Sequence, residues 1–453
     1  MWFEEWMRGA GAMLALALYA VLCWRAWHQA KQLRGGGVSA AALAVDWRVV
    51  FASQTGSAEM LARQTAHALV DAGLSAACLP LGRLRAADLA QGGCCLFIVS
   101  TAGEGDAPDD AQAFVRHALT QTPDLAGLRY VVLALGDRSY PHFNAFGRRL
   151  DAWLQAASAE ALAERIELDR CDAKGVQVWR ELLATLTGRS AVQLGEVAGV
   201  TGAATEWRLA ARTCLNPGSE GGAVYRLNFT ACEPGADWQS GDLVEVSLPG
   251  NDTRPRAYSI ASVPTEGMLQ LLVRLHVRAD GEPGWVSHHL GRTLRVGDRL
   301  RLRLRPHPGF QLAGNARRPL ILIGNGVGLA GLRAHLMARM ADGQRQNWLI
   351  FGERHRVVDD LHADDLVTWR AQGVLARLDA VYSREGAACR YVQDVLHREA
   401  AQLADWVARG AAIYVCGSRQ GMGEGVDRAL QAILGEAALA HLADSGRYCR
   451  DVF

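Results

Sequence analysis

The densest chemistry in this 453-residue chain sits in one short run, Arg256-Ala257-Tyr258-Ser259-Ile260-Ala261-Ser262, led in by Arg254 and Pro255. A guanidinium, a phenol and hydroxyls this close together suit a phosphate and a flat ring held side by side, which points to a bound dinucleotide. Taken alone, Arg-x-Tyr-Ser is equally the polar edge of an ordinary strand. Three upstream loops add weight. Ser53-Gln54-Thr55-Gly56-Ser57 opens a helix, where free N–H groups and hydroxyls hold a phosphate without a lysine. Ser100-Thr101-Ala102-Gly103-Glu104-Gly105-Asp106 can bring backbone against a planar ring. The loop 135–144 carries Gly136, Asp137, Tyr140, Phe143 and Asn144, with Tyr140 the residue to stack on that ring. Each loop by itself also fits a plain turn.

Two more constellations lie downstream. Gly324-Asn325-Gly326-Val327-Gly328 follows a buried apolar run at 319–323 and precedes a helix from Leu329. Glycine there admits a pyrophosphate to the helix N-terminus, or simply makes a tight strand-to-helix turn. Ser383, Arg384 and Arg390 suit a phosphate dianion far better than a ribose hydroxyl, which favours NADPH over NADH.

These residues need elements to place them. From 47 the chain alternates strands at 48–52, 94–100 and 130–135 with helices at 58–70, 109–119 and 144–156, and a last helix ends near 186. That alternation argues for a parallel sheet covered on both faces, with ligands beyond the carboxyl ends of its strands, where the three loops fall. After a Gly-, Ala- and Val-rich hinge come strands at 207–211, 223–229, 243–248 and 268–277 with few helices between. Residues 299–305 alternate arginine and leucine at every step, the pattern of a half-buried strand. This part reads as a small antiparallel barrel. Strands at 319–323 and 347–352, one ending at 382 and one ending near 417 then return to the α/β pattern.

With half its residues hydrophobic, a chain of this length buries a large interior and divides into about three domains. A net charge of +1 argues against a nucleic-acid partner, which calls for a basic surface. The ten cysteines are scattered, with Cys94-Cys95 the only close pair and no metal-ligand spacing. They read as reduced thiols in a cytosolic body without a metal site.

The N-terminus is different in kind. An uncharged, mostly apolar run at 9–24 lies between Arg8 and Arg25, with Trp2, Phe3, Trp6, Trp24 and Trp27 about it. It is slightly short for a ~30 Å hydrocarbon core, which aromatic flanks and snorkelling arginines make up, and it reads as one membrane helix. Glu4 and Glu5 stand where the basic region of a cleaved signal peptide belongs. Arg25, Lys31 and Arg34 against Arg8 alone place the body in the cytoplasm, at the inner (cytoplasmic) membrane.

From about 47 to 453, in consistent order, these motifs resemble the diflavin reductase family, above all its sulfite reductase flavoproteins. The resemblance implies a flavodoxin-like α/β FMN domain joined to a ferredoxin-reductase-like module, made of an antiparallel barrel for FAD and an α/β domain for NADPH. The implied divisions are an anchor at 1–34, a linker at 35–46, the FMN domain at 47–188, a hinge at 189–205, the FAD barrel at 206–314 and the NADPH domain at 315–453. It implies that FAD takes a hydride from NADPH and passes single electrons to FMN, and that FMN reduces a haem or iron–sulfur protein in or at the membrane. Alternatives are direct reduction of a small oxidant or ferric complex, and a membrane-tethered relay module that does not turn over.

Residue by residue, the resemblance gives the phosphate loop of FMN to residues 53–57, and FAD to Arg256, Tyr258, Ser259, Gly284, Val286 and Ser287. Ser383, Arg384, Arg390, Tyr391 and Gln393 would recognise the 2′-phosphate of NADPH. Cys416 would lie beside the nicotinamide carbon, with Ser259 and Asp451 near flavin N5, and Phe453 would cover the FAD ring. The chain departs from the family at Ala102, at Val327 and Gly331 for Thr and Pro, at Cys389 for a basic residue, and at Phe453 for Tyr or Trp. The helical insertion before Arg256 is absent, which leaves open how the two flavins face each other. Glu104, Asp106, Asp109 and Asp110 form either a solvated helix start or a docking rim for a basic redox partner.

Overall fold

The computed structural model describes residues 40–54, 56–102, 105–138, 142–169, 172–188, 204–248, 251–278, 280–361, 363–386 and 388–453. Its first sheet contains β1 (Trp47–Ala52), β2 (Ala76–Pro80), β3 (Gly93–Ser100), β4 (Leu128–Gly136), β5 (Glu160–Ala161) and β6 (Ile166–Asp169). The order is β2-β1-β3-β4, with both β5 and β6 on the far side of β4, and every pair is parallel. Successive residues serve opposite cores. Val49, Leu96 and Val131 face the helices Ser57–Asp71 and Ala173–Thr187, while Val50, Phe97 and Val132 face Gln112–His117 and Ala145–Ala156. Such strands must be apolar throughout, which is why they read as continuous runs. The expected helix at 109–119 is shorter, beginning with a 3-10 turn at Asp109–Ala111.

The second sheet holds β7 (Thr205–Cys214), β8 (Val224–Ala231), β9 (Leu243–Leu248), β10 (Asn251–Ser259), β11 (Leu269–Arg274) and β12 (Arg299–Arg305). All neighbours in the order β10-β9-β12-β7-β8-β11 are antiparallel, and Ile260, just past β10, bridges Leu271 of β11. That last contact closes the sheet into a barrel, so no long edge is left unpaired. In β12, Leu300 and Leu302 point inward, while Arg299 reaches Glu206 and Arg303 and Arg305 reach Glu245 on the flanking strands. β10 begins three positions after β9 ends, so no helical insertion separates them.

The third sheet is parallel, in the order β15 (Arg377–Tyr382), β14 (Asn347–Glu353), β13 (Leu320–Asn325), β16 (Ala412–Gly417), β17 (Tyr448–Val452). The strand order reverses direction at β13, which puts the crevice outside the carboxyl ends of β13 and β16. Arg333 fixes this sheet to the barrel from the helix Leu329–Ala341. Its guanidinium donates to the Ala261 carbonyl at 2.7 Å, to both oxygens of Glu266 at 2.8 and 3.1 Å, and to Asp365 at 3.0 Å.

The described helices lend no support to the membrane helix or to the inner-membrane location drawn from it. Among the described residues no helix is long and apolar enough to cross a membrane. The two longest, Ser57–Asp71 and Ala173–Thr187, have 15 residues each and rise only about 22 Å, against a ~30 Å core. The run at 9–24 lies outside the described residues.

Arg333→Leu leaves Glu266 and Asp365 facing each other without their shared cation. It should destabilise the junction by about 3 kcal/mol, seen as a lower unfolding midpoint and as faster amide exchange at 261–266 but not in the first sheet.

Candidate functional site

Where barrel and third sheet meet, a cavity of about 1200 Å³ opens. β10 brings Arg256, Tyr258 and Ser259 to its wall, and β17 brings Asp451, with Phe453 beyond it. The register is what makes a cluster of these. β16 pairs Cys416 with Asp451, and β13 pairs Gly324 with Cys416, so the carboxylate and the thiol emerge at one sheet edge facing Ser259. Ser259 Oγ donates to Asp451 Oδ2 at 2.7 Å and Cys416 Sγ lies 3.7 Å from the same oxygen. Burial pushes the Cys416 thiol well above its ordinary range, so it stays protonated and acts as a weak donor, not a nucleophile. Burial likewise raises the Tyr258 phenol. Phe453 is held by its backbone, donating to Gly417 O and accepting from Arg419 N, while the residue is 59 % exposed at the cavity mouth.

The rest of the wall comes from loops. Ser287 Oγ accepts from His276 N and donates to Gly284 O, and a Cβ on Gly284 would fall 3.0 Å from Ser287 Oγ and 3.2 Å from the His276 side chain, a tight fit under this turn. Gly284, Val286 and Ser287 all line the cavity. The three glycines after β13 divide their work. Gly326 has φ +56° and lines the cavity, whereas added Cβ atoms at Gly324 and Gly328 would strike the Cys416 carbonyl at 2.6 and 2.1 Å. Close packing of β13 on β16 therefore explains two of them. Gly331 is bounded in the same way by Phe310, Cys416 and Ser259.

At the far end Ser383, Arg390, Tyr391 and Gln393 line the cavity. Arg390 donates to the Ser383 carbonyl at 3.0 and 3.2 Å, and its own N–H and that of Tyr391 both reach Asp394. Arg384 is exposed just outside the lining. Sequence reading missed Arg354, Arg274, Glu353 and His307, which line the same space. Glu353 accepts from Arg274 at 3.3 Å, and Arg274 also donates to the Gly221 carbonyl at 2.7 Å. Burial outweighs that cation and raises the Glu353 carboxyl to about 7. The only sequence signal was a carboxylate ending an otherwise apolar strand.

On the first sheet, the loops sit beyond the carboxyl ends of β1, β3 and β4. Gly56 has φ +85° and caps the helix Ser57–Asp71, and Gln54 N donates to Ser100 Oγ at 3.2 Å. Thr101 Oγ1 accepts from Phe146 N at 3.3 Å, and Gly105 has φ +105° against His142. Asn144 is fully buried at φ 56°, with its amide against Gly136. Phe143 lies 4.7 Å from the Arg138 guanidinium, and the Arg138 N–H donates to Asp169. Thr55, Gly103, Glu104 and Tyr140 lie outside the described residues. Of the acidic rim, Asp110 accepts the Ser53 N–H on both oxygens and Asp106 pairs with Arg419 of the third unit at 2.5 Å, both aspartates staying exposed.

The first unit also reaches the cavity, because Gln54 lines it and a Cβ on Gly56 would sit 2.9 Å from Pro308 Cδ. Buried polar side-chain atoms without a protein hydrogen-bond partner include Ser53 Oγ and the Asn144 amide by the loops of the first sheet, and Gln393 Oε1 at the far end of the cavity. Donor sets of this kind fit phosphates and polar ring edges. Among the described residues no cluster suits a metal.

Fold and site together define an oxidoreductase built from a flavodoxin-type sheet and a nucleotide-binding reductase module. Residues 49–177 match the family model described as Flavodoxin, and 322–428 match the Oxidoreductase NAD-binding domain. The chain is similar to the sulfite reductase [NADPH] flavoprotein alpha-component of Yersinia enterocolitica, with 27 % identity over 561 positions covering 94 % of this chain and 93 % of that protein. The same component of Sodalis glossinidius is 26 % identical over 91 % and 90 %, and that of Cronobacter sakazakii 26 % over 94 % and 93 %. These relatives are NADPH-dependent oxidoreductases, and this chain is a diflavin-type oxidoreductase like them, with FMN the cofactor of its flavodoxin domain and FAD and NADPH those of its reductase module. An alignment of 561 positions is longer than the 453-residue chain, which agrees with the missing insertion. Neither these descriptions nor the described helices support the inner-membrane placement, which is withdrawn.

Glu353 holds its proton up to about pH 7 when folded but releases it near 4.5 when unfolded, so between those values the native state binds more protons. Stability contributed at this site therefore falls as pH rises through that window. Glu353→Gln should remove a slope of on the order of 3 kcal/mol in total, measured as the difference between the two proteins' denaturation curves from pH 5 to 8.

Proposed function

We propose that this protein is an NADPH:acceptor reductase in which electrons pass from NADPH through FAD to FMN and then singly to a haem or iron–sulfur protein. The observation that carries the reading is the Ser259, Asp451 and Cys416 cluster, joined through one cavity to the Ser383 and Arg390 end and to the Gln54 loop of the flavodoxin domain. Bound flavins supply the conversion of a paired-electron delivery into single steps, and the protein's task is to orient and screen them. Asp451, fixed by two donors, presents a negative charge where positive charge grows on a nicotinamide losing hydride. Cys416 and Ser259 hold that carboxylate in place, so the geometry precedes substrate. Phe453, hydrogen-bonded through its backbone and exposed at the cavity mouth, covers the ring in this reading and moves aside for the nicotinamide. The similarity to alpha-components of a larger enzyme supports an acceptor that is itself a protein.

Ser383, Arg384 and Arg390 recognise the 2′-phosphate in this reading. The double change Arg384→Ala and Arg390→Ala should raise KM for NADPH roughly 10- to 100-fold, two charge-assisted contacts at about 1.5–3 kcal/mol each less what solvent screens, and leave NADH oxidation unchanged.

The deciding experiment is anaerobic stopped-flow mixing of the purified protein with NADPH, together with a flavin count. Two flavins per chain, one FMN and one FAD, both bleached in sequence, support the circuit. One flavin per chain after reconstitution, or two that NADPH leaves oxidised, would sink it. A protein that bleaches fully and then reduces only small ferric complexes, with no partner crosslinked to its flavodoxin domain, would count against a protein acceptor.

A further inference from the structure

Three large aromatic side chains stand exposed among the described residues, Trp285, Tyr391 and Phe453, and all three line the cavity. A flat apolar ring open on a cavity wall suits a flat ligand. Phe453 covers the isoalloxazine in the reading above, and Tyr391 stands at the 2′-phosphate end of NADPH. Trp285 has been given no role. It sits between Gly284 and Val286, both buried in the turn assigned to FAD, yet 41 % of it is exposed.

A short hairpin fixes where the indole lies. Val277 and Pro283 form an antiparallel bridge, the Arg278 N–H donates to the Glu282 carbonyl at 2.8 Å, and the Gly284 N–H donates to the His276 carbonyl at 2.8 Å. Gly281, at φ +83°, closes the loop by donating to the Arg278 carbonyl at 2.9 Å. The hairpin brings the Arg278 guanidinium to 5.0 Å from the centre of the indole, and Asp280 pairs with that guanidinium at 3.3 Å. Arg278 lines the cavity as well. A guanidinium and a nucleobase both favour the face of an aromatic ring, so the pair makes a platform for a base.

The barrel decides which base. Ile260, next to Ser259, bridges Leu271, and β11 then carries the chain away from that point towards the hairpin. The indole therefore stands at the end of the barrel wall remote from the Ser259 cluster. A FAD with its isoalloxazine at Tyr258 and Ser259 and its pyrophosphate at the Gly284 turn has its adenine left to place.

We propose that Trp285, steadied by Arg278, is the shelf on which the adenine of FAD stacks. The inference rests on FAD occupying the barrel side of this cavity, and it gives the indole a binding role, remote from the chemistry.

The test uses the purified full-length protein, stripped of FAD and titrated with it, as wild type, Trp285→Leu and Trp285→Phe. Trp285→Leu should raise the FAD dissociation constant about tenfold, which is ~1.4 kcal/mol and within what stacking on one base supplies, with FMN affinity unchanged. Trp285→Phe keeps a ring and should hold FAD within about threefold of wild type. Unchanged FAD affinity in the leucine variant overturns the proposal. So does a raised KM for NADPH with FAD affinity intact, which would give the indole to the other nucleotide. If the leucine variant loses both flavins together, the wild type carries the test: FAD bearing 2-azidoadenine, bound and photolysed, should label the peptide spanning 276–288, and labelling only elsewhere overturns the proposal. A wild-type protein that takes up no FAD overturns the cofactor assignment itself, and the shelf falls with it.

Discussion

The hydrogen bond from Ser259 to Asp451 spans 192 positions of sequence, and the working centre exists only because two independent elements agree on where its ends lie. On one side the barrel must close, since Ser259 ends β10 and the next residue, Ile260, is the one that bridges to β11. On the other, β17 must add to β16 in the register that sets Asp451 beside Cys416. A shift of one residue in a strand turns each side chain to the opposite face, so either error would remove the cluster outright. Arg333 protects the agreement, because it ties the turn after β10, at Ala261 and Glu266, to the helix that follows β13.

The same demand explains the glycine-rich turn. Gly324 and Gly328 lie against the Cys416 carbonyl and Gly331 lies against its sulfur, so the helix after β13 can approach β16 closely at this residue. At Gly331 an aromatic ring from the barrel, Phe310, comes to 3.0 Å from the position a Cβ would take.

Much of this was legible beforehand. Buried parallel strands such as β3 and β13 are apolar end to end, and β12 announces itself by Arg–Leu alternation, because both signals come from local burial. The members of the central cluster were named through the family resemblance of their short motifs, not from the residues alone. Short edge strands such as β5, with two residues, carry too little pattern to be read. Arg274, Glu353 and His307 escaped for another reason. Apart from the place of Glu353 at the end of an apolar strand, nothing beside them in sequence marks them, and their meaning depends on partners 79 positions away, as for Arg274 and Glu353, or on a cavity wall assembled from two units. The acidic loop was legible as charge but not as contact, since Arg419 lies 313 residues from Asp106.

Among the described residues, the ties between the flavodoxin unit and the reductase module include two ion pairs at the surface. Asp106–Arg419 and Arg116–Glu436 are both partly open to water, and the Gly56–Pro308 approach adds only a small apolar touch. Pairs of this exposure contribute about 0–1 kcal/mol each, less as ions crowd in. The ionic share of this seam is therefore the part that dissolved salt erodes, while the apolar touch at Pro308 is indifferent to it.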